Sequence, residues 1–268
     1  MIDHGYGPRP LKPAPEPTIE PAVASVPRRP RRGISVLPSL FTLANMFCGY
    51  ACVVYAMRGE YAVAAPLIGI AVVLDMLDGR IARMTGTASE FGVQFDSMAD
   101  VISFGMAPAI LAFAWGLSAL GRLGWAAAFL FVTAAALRLA RFNVQAGSAD
   151  KRYFVGMPSP AAAGVVAATV FAYPAGFSEI HFAVPLVLLV VVPAALMVST
   201  IRFRSFKSID TQSRHPFRLL ILFAVFITAL VTRPEEVLVI LAYGYLISPL
   251  IGAAVARMRR RPDPATAG

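Results

Sequence analysis

The chain has 268 residues, of which 57% are hydrophobic, and its mean hydropathy is +0.67. This composition excludes an ordinary soluble domain, and the length excludes a single membrane anchor. The net charge of +9 could indicate a nucleic-acid-binding protein, but the basic residues cluster between apolar stretches, which has another explanation in a membrane protein. The sequence therefore predicts an all-α polytopic membrane protein.

The first 33 residues differ in character from the rest of the chain. They contain eight prolines and the basic cluster PRRPRRG, and they show no apolar periodicity. This composition predicts a disordered tail over residues 1–33. A transmembrane domain is predicted over residues 34–256, followed by a second basic tail over residues 257–268.

Eight apolar stretches are each long enough to cross a hydrocarbon core of about 30 Å. They lie near residues 35–57, 61–80, 95–116, 123–143, 158–177, 180–200, 216–232 and 235–256. We therefore expect about eight transmembrane helices. The seventh stretch is short, and only a turn containing Pro and Gly separates the fifth from the sixth, so six or seven spans are also compatible with the sequence.

The basic residues predict how the chain crosses the membrane. If the N-terminal tail is cytoplasmic, 21 of the 24 Lys and Arg lie on the cytoplasmic side, and only Arg58, Arg122 and Arg233 lie on the other. Cytoplasmic loops of membrane proteins carry such an excess of positive charge. We therefore expect an even number of spans, both termini in the cytoplasm, basic loops that favour anionic lipid headgroups, and no nucleic-acid partner.

Four aspartates interrupt the second and third apolar stretches. Asp75 and Asp78 lie near the end of the second stretch, and Asp96 and Asp100 lie in the third. Each carboxylate inside a bilayer costs roughly 2.5–3.5 kcal/mol, so the four require a compensating partner. Their spacings of three and four residues place each pair on one face of a helix.

A predicted turn brings the two pairs of aspartates together. The sequence TGT breaks the helical pattern at Gly86, and Thr87 with Glu90 resembles a capping box that begins the next helix. Two helices joined by so short a turn run antiparallel and can direct four carboxylates at one point.

A divalent metal is the simplest partner for four converging carboxylates. Oxygen ligands suit Mg²⁺ or Mn²⁺, and two such ions about 3.5–4 Å apart commonly serve displacement at phosphorus. Gly79 and Gly92 would let a bulky phosphorylated ligand approach the backbone. The alternative is ion pairing with Arg80 and Arg83, but two arginines cannot neutralise four carboxylates.

The segment from Asp75 to Asp100 carries the pattern D-x2-D-G-x2-A-R-x8-G-x3-D-x3-D at every fixed position. This pattern is the signature of the CDP-alcohol phosphatidyltransferases, and the chain resembles that family. The resemblance implies that Asp75, Asp78 and Asp96 bind metal, and that Asp100 both contacts metal and acts as general base. It further implies a homodimer.

The same resemblance implies which residues contact the CDP moiety. Gly79, Arg83 and Gly92 match positions of that kind, and for Arg83 phosphate binding is favoured over simple snorkelling toward the headgroups. Thr42 and Asn45 in the first span are candidates to line the nucleotide pocket. Hydrogen bonding between helices is an equally weighted alternative for Thr42 and Asn45.

Further segments are similar to the branch of the family comprising the bacterial and archaeal CDP-diacylglycerol–serine O-phosphatidyltransferases. They are LPSLFTLANMFCG, ADVISFGMAPA, LRLARFN, GMPSPAAAG and STIRFRSFK. This similarity implies that the substrates are CDP-diacylglycerol and L-serine and that CMP is released. The alternative acceptors are glycerol 3-phosphate and an inositol phosphate.

A cation is expected to bind the carboxylate of serine, and LRLARFN provides candidates at the cytoplasmic end of the fourth span. These are Arg138, Arg141 and Asn143, of which Arg141 is the preferred ligand because Asn143 could add a polar contact. Arg138 could equally anchor the helix at the headgroups. The next candidates are Arg202, Arg204 and Lys207 in STIRFRSFK.

Two other classes of protein also place carboxylates in a membrane. An intramembrane prenyltransferase would need a second aspartate-rich motif, which the chain lacks. A cation-coupled transporter is disfavoured because all four aspartates lie on adjoining spans near the inferred cytoplasmic face, and no second half repeats the motif. We therefore expect an active site that faces the cytoplasm.

Overall fold

In the computed structural model of the protein, the described residues are 36–85, 89–145, 154–176, 183–200, 202–203 and 216–259. Within these ranges the chain forms a short 3-10 helix, Leu117–Leu120, and eight longer helices, one for each predicted apolar stretch. They are α1 (Val36–Met57), α2 (Tyr61–Thr85), α3 (Glu90–Trp115), α4 (Arg122–Gln145), α5 (Ser159–Ala172), α6 (Ala183–Val198), α7 (Pro216–Thr232) and α8 (Pro234–Arg259). The predicted tail over residues 1–33 lies outside the described residues, as does the C-terminal tail beyond residue 259.

Length and hydropathy together mark some of these helices as candidate membrane spans. The helices α1 to α4 are long and apolar enough to cross a membrane, whereas α5, α6 and the segment Leu220–Thr232 of α7 are shorter apolar helices. The prediction of an all-α architecture typical of a membrane protein is thereby confirmed, and the number of eight spans stays a prediction. In the described part, the one exception to helix is a two-residue antiparallel pairing of β1 (Phe154–Val155) with β2 (Arg202–Phe203).

Helix α3 begins later in the chain than the sequence predicts. Helix α2 ends at Thr85, as the TGT sequence predicts, but α3 is capped by Ser89, whose side chain accepts a hydrogen bond from the backbone N–H of Gly92 at 3.0 Å. The predicted capping box of Thr87 with Glu90 is therefore wrong, because the cap lies two residues later and Glu90 is the first helical residue. Thr87 itself lies outside the described residues.

Helix α1 packs closely against the third span at a glycine. A Cβ atom on Gly49 would lie 2.6 Å from Oγ of Ser103 and 2.8 Å from its Cα, so only glycine permits this approach. The hydroxyl of Ser103 donates to the carbonyl of Asn45 at 3.0 Å in the same contact. Cys48 and Cys52 are free and buried on this helix.

A π-helical segment, Val101–Met106, interrupts α3 directly after Asp100. Such segments change the face that following residues present, and they are frequent at functional sites. Before the segment, α3 carries Asp96 and Asp100; within it, Ser103, Phe104 and Gly105 are buried. The segment therefore lets one helix provide site residues in its first half and close packing immediately afterwards.

The later helices are tied to one another by polar contacts. Thr169 on α5 and Tyr243 on α8 share a hydrogen bond of 3.0 Å between their hydroxyls. The backbone N–H of Met157, just before α5, donates to the carbonyl of Leu196 on α6 at 2.9 Å. Pro158 directly precedes the first residue of α5, and Pro160 lies in the first turn, where the missing N–H of proline costs little. These contacts fix the N-terminal end of α5 beside α6 and dock α8 on α5.

Candidate active site

The four aspartates form two pairs, and the members of each pair, one on α2 and one on α3, lie at similar distances from the adjacent ends of these helices. At a rise of about 1.5 Å per residue, Asp78 is about 10 Å from the end of α2 and Asp96 about 9 Å from the start of α3. Asp75 and Asp100 are both about 15 Å from those ends. Because only residues 86–89 separate the two helices in the sequence, each aspartate of α2 lies at a similar distance from this connection as one aspartate of α3. The predicted convergence follows from these equal distances.

The structure places the carboxylates together. Asp75, Asp78 and Asp96 each offer an oxygen atom, and these three atoms all lie within 4.8 Å of one another. The Asp100 carboxylate interacts electrostatically with Asp75. Asp78 is buried, with a side-chain exposure of 3%, and Asp75, Asp96 and Asp100 are half-buried. One oxygen each of Asp96 and Asp100 is buried without a partner among the described residues.

No arginine forms an ion pair with this cluster in the described ranges at an N to O distance up to 4.0 Å, although Arg83 interacts electrostatically with Asp75 and Asp78, and Arg138 with Asp100. The one ion pair there with an N to O distance up to 4.0 Å joins Arg233 to Glu236, far from the aspartates in sequence. Arg80 and Arg83 are both exposed on α2. The alternative of buried ion pairs with Arg80 and Arg83 is therefore wrong, and the carboxylates retain the need for a cation.

Thr42 and Asn45 on α1 border the cluster in different ways. The hydroxyl of Thr42 donates to Oδ2 of Asp78 at 3.0 Å, so this residue makes the hydrogen bond between helices that was one of its two interpretations. Asn45 is fully buried, and neither its Oδ1 nor its Nδ2 has a partner among the described residues. A buried amide without partners is costly, so Asn45 is suited to bind a ligand or a water molecule.

The two glycines of the motif have structural roles beside any contact with a ligand. A Cβ on Gly79 would lie 3.7 Å from Nη1 of Arg83, so the guanidinium of Arg83 lies against the backbone one turn earlier. A Cβ on Gly92 would lie 3.1 Å from Oγ of Ser89, which would crowd the cap of α3. Gly79 therefore helps to hold a cation close to Asp78, and Gly92 helps to begin the helix that carries Asp96.

Arg138 on α4 lies on the Asp100 side of the cluster. It interacts electrostatically with Asp100 and with Tyr245 of α8. Its Nη1 donates to Oγ of Ser159 on α5 at 2.8 Å, and its Nε is buried without a partner in the described part of the chain. Residues from three helices that are distant in sequence thus surround one guanidinium.

Arg141 and Asn143 lie closer to the end of α4. Nδ2 of Asn143 donates to Oγ of Ser97 on α3 at 3.0 Å, and Asn143 is exposed. Arg141 is half-buried, with no hydrogen bond or ion pair among the described residues. The structure therefore brings Arg138, rather than the preferred Arg141, toward Asp100. Arg204 and Lys207 lie outside the described residues, and the side chain of Arg202 is not described.

Sequence reasoning missed Ser159 and Tyr245 as members of this site. Ser159 lies in the quoted segment GMPSPAAAG, which was used only for the resemblance to the family. A lone hydroxyl among alanines and prolines is the signal that the sequence offers, and in the structure Ser159 is only 6% exposed. Tyr245 lies in an apolar helix with no motif, and nothing in the sequence relates it to Arg138.

Comparison with known proteins identifies the class of protein. The family model for CDP-alcohol phosphatidyltransferase matches residues 35–192, which include the aspartate cluster, α1 to α5 and part of α6. The chain therefore belongs to the CDP-alcohol phosphatidyltransferase family, and it is an enzyme and an integral membrane protein.

Individual relatives refine this comparison. The chain is 38% identical over 227 residues to the CDP-diacylglycerol–serine O-phosphatidyltransferase of Helicobacter pylori strain 26695, covering 83% of this chain and 92% of the relative. It is 31% identical over 229 residues to that of Mycobacterium leprae, covering 81% and 75%. It is 35% identical over 170 residues to the archaetidylserine synthase of Methanothermobacter thermautotrophicus, covering 62% and 69%.

The residues of the cluster fit a divalent cation. One oxygen from each of three carboxylates lies within 4.8 Å of the other two, carboxylate oxygens are hard ligands, and one oxygen of Asp96 is buried without a partner in the described ranges. Asp75, Asp78 and Asp96 form an acidic triad that could hold the ion, and Thr42 orients one of its members.

We expect Asp78→Asn and Asp96→Asn to weaken Mn²⁺ binding by about tenfold or more, because each removes one charged ligand. Binding is measured on the purified protein by electron paramagnetic resonance of free Mn²⁺, which requires no turnover. Glu60→Gln, an exposed acidic residue before α2, is the matched control and should bind as the wild type does. Wild-type affinity in both aspartate variants would contradict the metal site.

Proposed function

We propose that this enzyme transfers the phosphatidyl group of CDP-diacylglycerol to the hydroxyl of L-serine and releases CMP. The observation that carries the proposal is Arg138, a cation whose Nε is buried without a partner among the described residues and which interacts electrostatically with Asp100 of a phosphatidyltransferase site. A guanidinium there suits an acceptor that bears a carboxylate. The names of the three relatives, all of which specify serine, support the same acceptor.

The donor side of the site is proposed to comprise the motif on α2 and α3. Asp75, Asp78 and Asp96 would hold Mg²⁺ or Mn²⁺, with Asp100 contacting a second ion. When bound, the metal supplies positive charge to the diphosphate and to the departing CMP. The remaining donor contacts are assigned to residues that border the cluster, namely Thr42, Asn45, Gly79, Arg83 and Gly92.

Asp100 is proposed as the general base. In this step its carboxylate accepts the proton of the serine hydroxyl, and the serine oxygen attacks the phosphorus that bears the diacylglycerol. The bond from that phosphorus to the oxygen of CMP then breaks. Asp100 suits this role because it belongs to the aspartate motif proposed for the donor and also interacts electrostatically with Arg138, the proposed ligand of the acceptor. Positioning and electrostatic stabilisation would provide most of the rate.

The carboxylate of serine is assigned to Arg138. In serine the hydroxyl oxygen is separated from the carboxyl carbon by two carbons, so the residue that binds the carboxylate has to lie near the base. Arg138 interacts with Asp100 and meets this requirement. Arg141 and Asn143 are proposed for a lesser role at the entrance, because Asn143 is exposed and bonds to Ser97 beside Asp96.

The site is proposed to open to the cytoplasm, with both termini on that side. The end of α2 that carries Asp75 and Asp78 also carries Arg80 and Arg83, and the excess of basic residues in the loops favours this orientation. The same loops would contact anionic headgroups. A homodimer stays a prediction drawn from the resemblance to the family.

The purified protein should release CMP when it is given CDP-diacylglycerol, Mg²⁺ or Mn²⁺, and L-serine. Parallel reactions contain glycerol 3-phosphate or an inositol phosphate in place of serine, and CMP is followed by chromatography. Because the site provides a cation for a carboxylate, we expect serine to give the fastest release. Release with another acceptor and none with serine would contradict the proposed function, while the reaction would still be a phosphatidyl transfer.

We expect Asp100→Asn to abolish turnover and to leave folding and CDP-diacylglycerol binding intact, because the amide has nearly the same shape but cannot accept the serine proton. Turnover is measured by CMP release, and lipid binding by equilibrium binding of labelled substrate. Glu90→Gln, at the exposed start of the same helix, is the control. Near-normal turnover at saturating serine would remove Asp100 from the role of base.

We expect Arg138→Lys to raise the serine KM by about tenfold or more, because a charge-assisted hydrogen bond of roughly 1.5–3 kcal/mol is impaired. The KM for CDP-diacylglycerol should change little. Arg141→Lys, three residues later on the same helix, is the matched comparison, and we expect it to have the smaller effect on the serine KM. A larger effect of Arg141→Lys than of Arg138→Lys would assign the serine carboxylate to Arg141.

Cysteine accessibility tests the orientation. In a background without Cys48 and Cys52, a cysteine at Lys207 should react with an impermeant reagent only from the cytoplasmic side. A cysteine at the exposed Glu60, between α1 and α2, should react only from the opposite side. Labelling is compared in intact cells and in inverted membrane vesicles. Reaction of the Lys207 position from outside would overturn the topology.

A further inference from the structure

We propose that Ser159 is a positioning residue for the acceptor: its hydroxyl holds Arg138 so that one edge of the guanidinium is presented to the acceptor carboxylate. The inference rests on the proposed function and assigns a specificity role to α5, which contributes none of the aspartates. It starts from the bond of 2.8 Å between Nη1 of Arg138 and Oγ of Ser159.

The atoms that remain available on Arg138 determine what it can bind. Nη1 is occupied by Ser159, and Nε is buried with no partner among the described residues. Nε and Nη2 form one edge of the planar guanidinium and can donate two parallel hydrogen bonds to a single carboxylate. A buried donor without a partner is costly, so this edge is suited to a ligand that supplies two oxygen atoms.

The rotamer of a long arginine side chain is otherwise free to change. Ordering such a side chain costs conformational entropy. A fixed partner orders the side chain before the substrate binds, so less entropy is lost in the binding step. Ser159 is well suited to be the partner, because it is 6% exposed and lies in the first turn of α5. That turn follows Met157, whose N–H is bonded to the carbonyl of Leu196 on α6.

Two residues besides Ser159 act on the Arg138 guanidinium. Both interact electrostatically with Arg138, Asp100 from α3 and Tyr245 from α8. Ser159 is the neighbour that makes a hydrogen bond to Arg138 with a defined distance. Loss of its hydroxyl should let the guanidinium turn toward the Asp100 carboxylate. This would weaken binding of the acceptor carboxylate and leave binding of CDP-diacylglycerol unchanged.

The test measures steady-state kinetics of the full-length enzyme with CDP-diacylglycerol and L-serine. We expect Ser159→Ala to raise the serine KM by about three- to tenfold, with the KM for CDP-diacylglycerol unchanged and kcat within about twofold. Ser159→Thr keeps the hydroxyl and should restore the serine KM. Thr169→Val removes another hydroxyl of α5 that bonds to Tyr243 of α8, so it controls for a general loosening of the helix.

A double-mutant cycle separates positioning from structure. If Ser159 acts through Arg138, Ser159→Ala should change the serine KM by less than about twofold in an Arg138→Lys background. Additive effects of the two substitutions would overturn the proposal, as would equal losses for both substrates or a similar effect of Thr169→Val. If the wild-type enzyme releases no CMP with serine, the proposed function fails and this inference fails with it. An active wild type with an unaffected Ser159→Ala variant refutes the positioning role alone.

Discussion

Four carboxylates held inside a membrane protein without an arginine partner within 4.0 Å are the constraint on which the described structure depends. Each carboxylate costs roughly 2.5–3.5 kcal/mol to insert, and mutual repulsion adds to that cost. The fold tolerates the cluster because α2 and α3 carry their aspartates at equal distances from a shared turn. A cation bound there would turn a destabilising group of charges into a binding site for a diphosphate.

The surroundings of the cluster show how the fold fixes these carboxylates. Thr42 donates to Asp78 from α1, and the cap at Ser89 determines where α3 begins and hence the depth of Asp96. The close approach of Gly49 to Ser103 then holds α3 against α1 within the π-helical segment. Small side chains and a local change of helix type therefore serve a chemical purpose, because a shift of one residue would turn the aspartates of α3 away from those of α2.

Hydropathy and motif spacing predict much of this molecule. All eight apolar stretches are helices, and the spacing from Asp75 to Asp100 predicts the convergence of the carboxylates. Both predictions depend on local periodicity and one short turn. The predicted cap of α3 fell on Thr87 and not on Ser89 because Thr87 offers a similar hydroxyl two residues earlier. The π-helical segment and the bond from Arg138 to Ser159 could not be predicted, since they depend on packing between helices that are distant in sequence.

This difference in predictability corresponds to two halves of the proposed site. The donor half is built almost entirely from one contiguous motif, so its sequence identifies the class of reaction. The acceptor half is assembled from α4, α5 and α8, where Arg138, Ser159 and Tyr245 share no local pattern. Acceptor choice can therefore change by single substitutions on separate helices while the phosphatidyl-transferring half stays constant. A family with one reaction and several acceptor alcohols is what such an arrangement would permit.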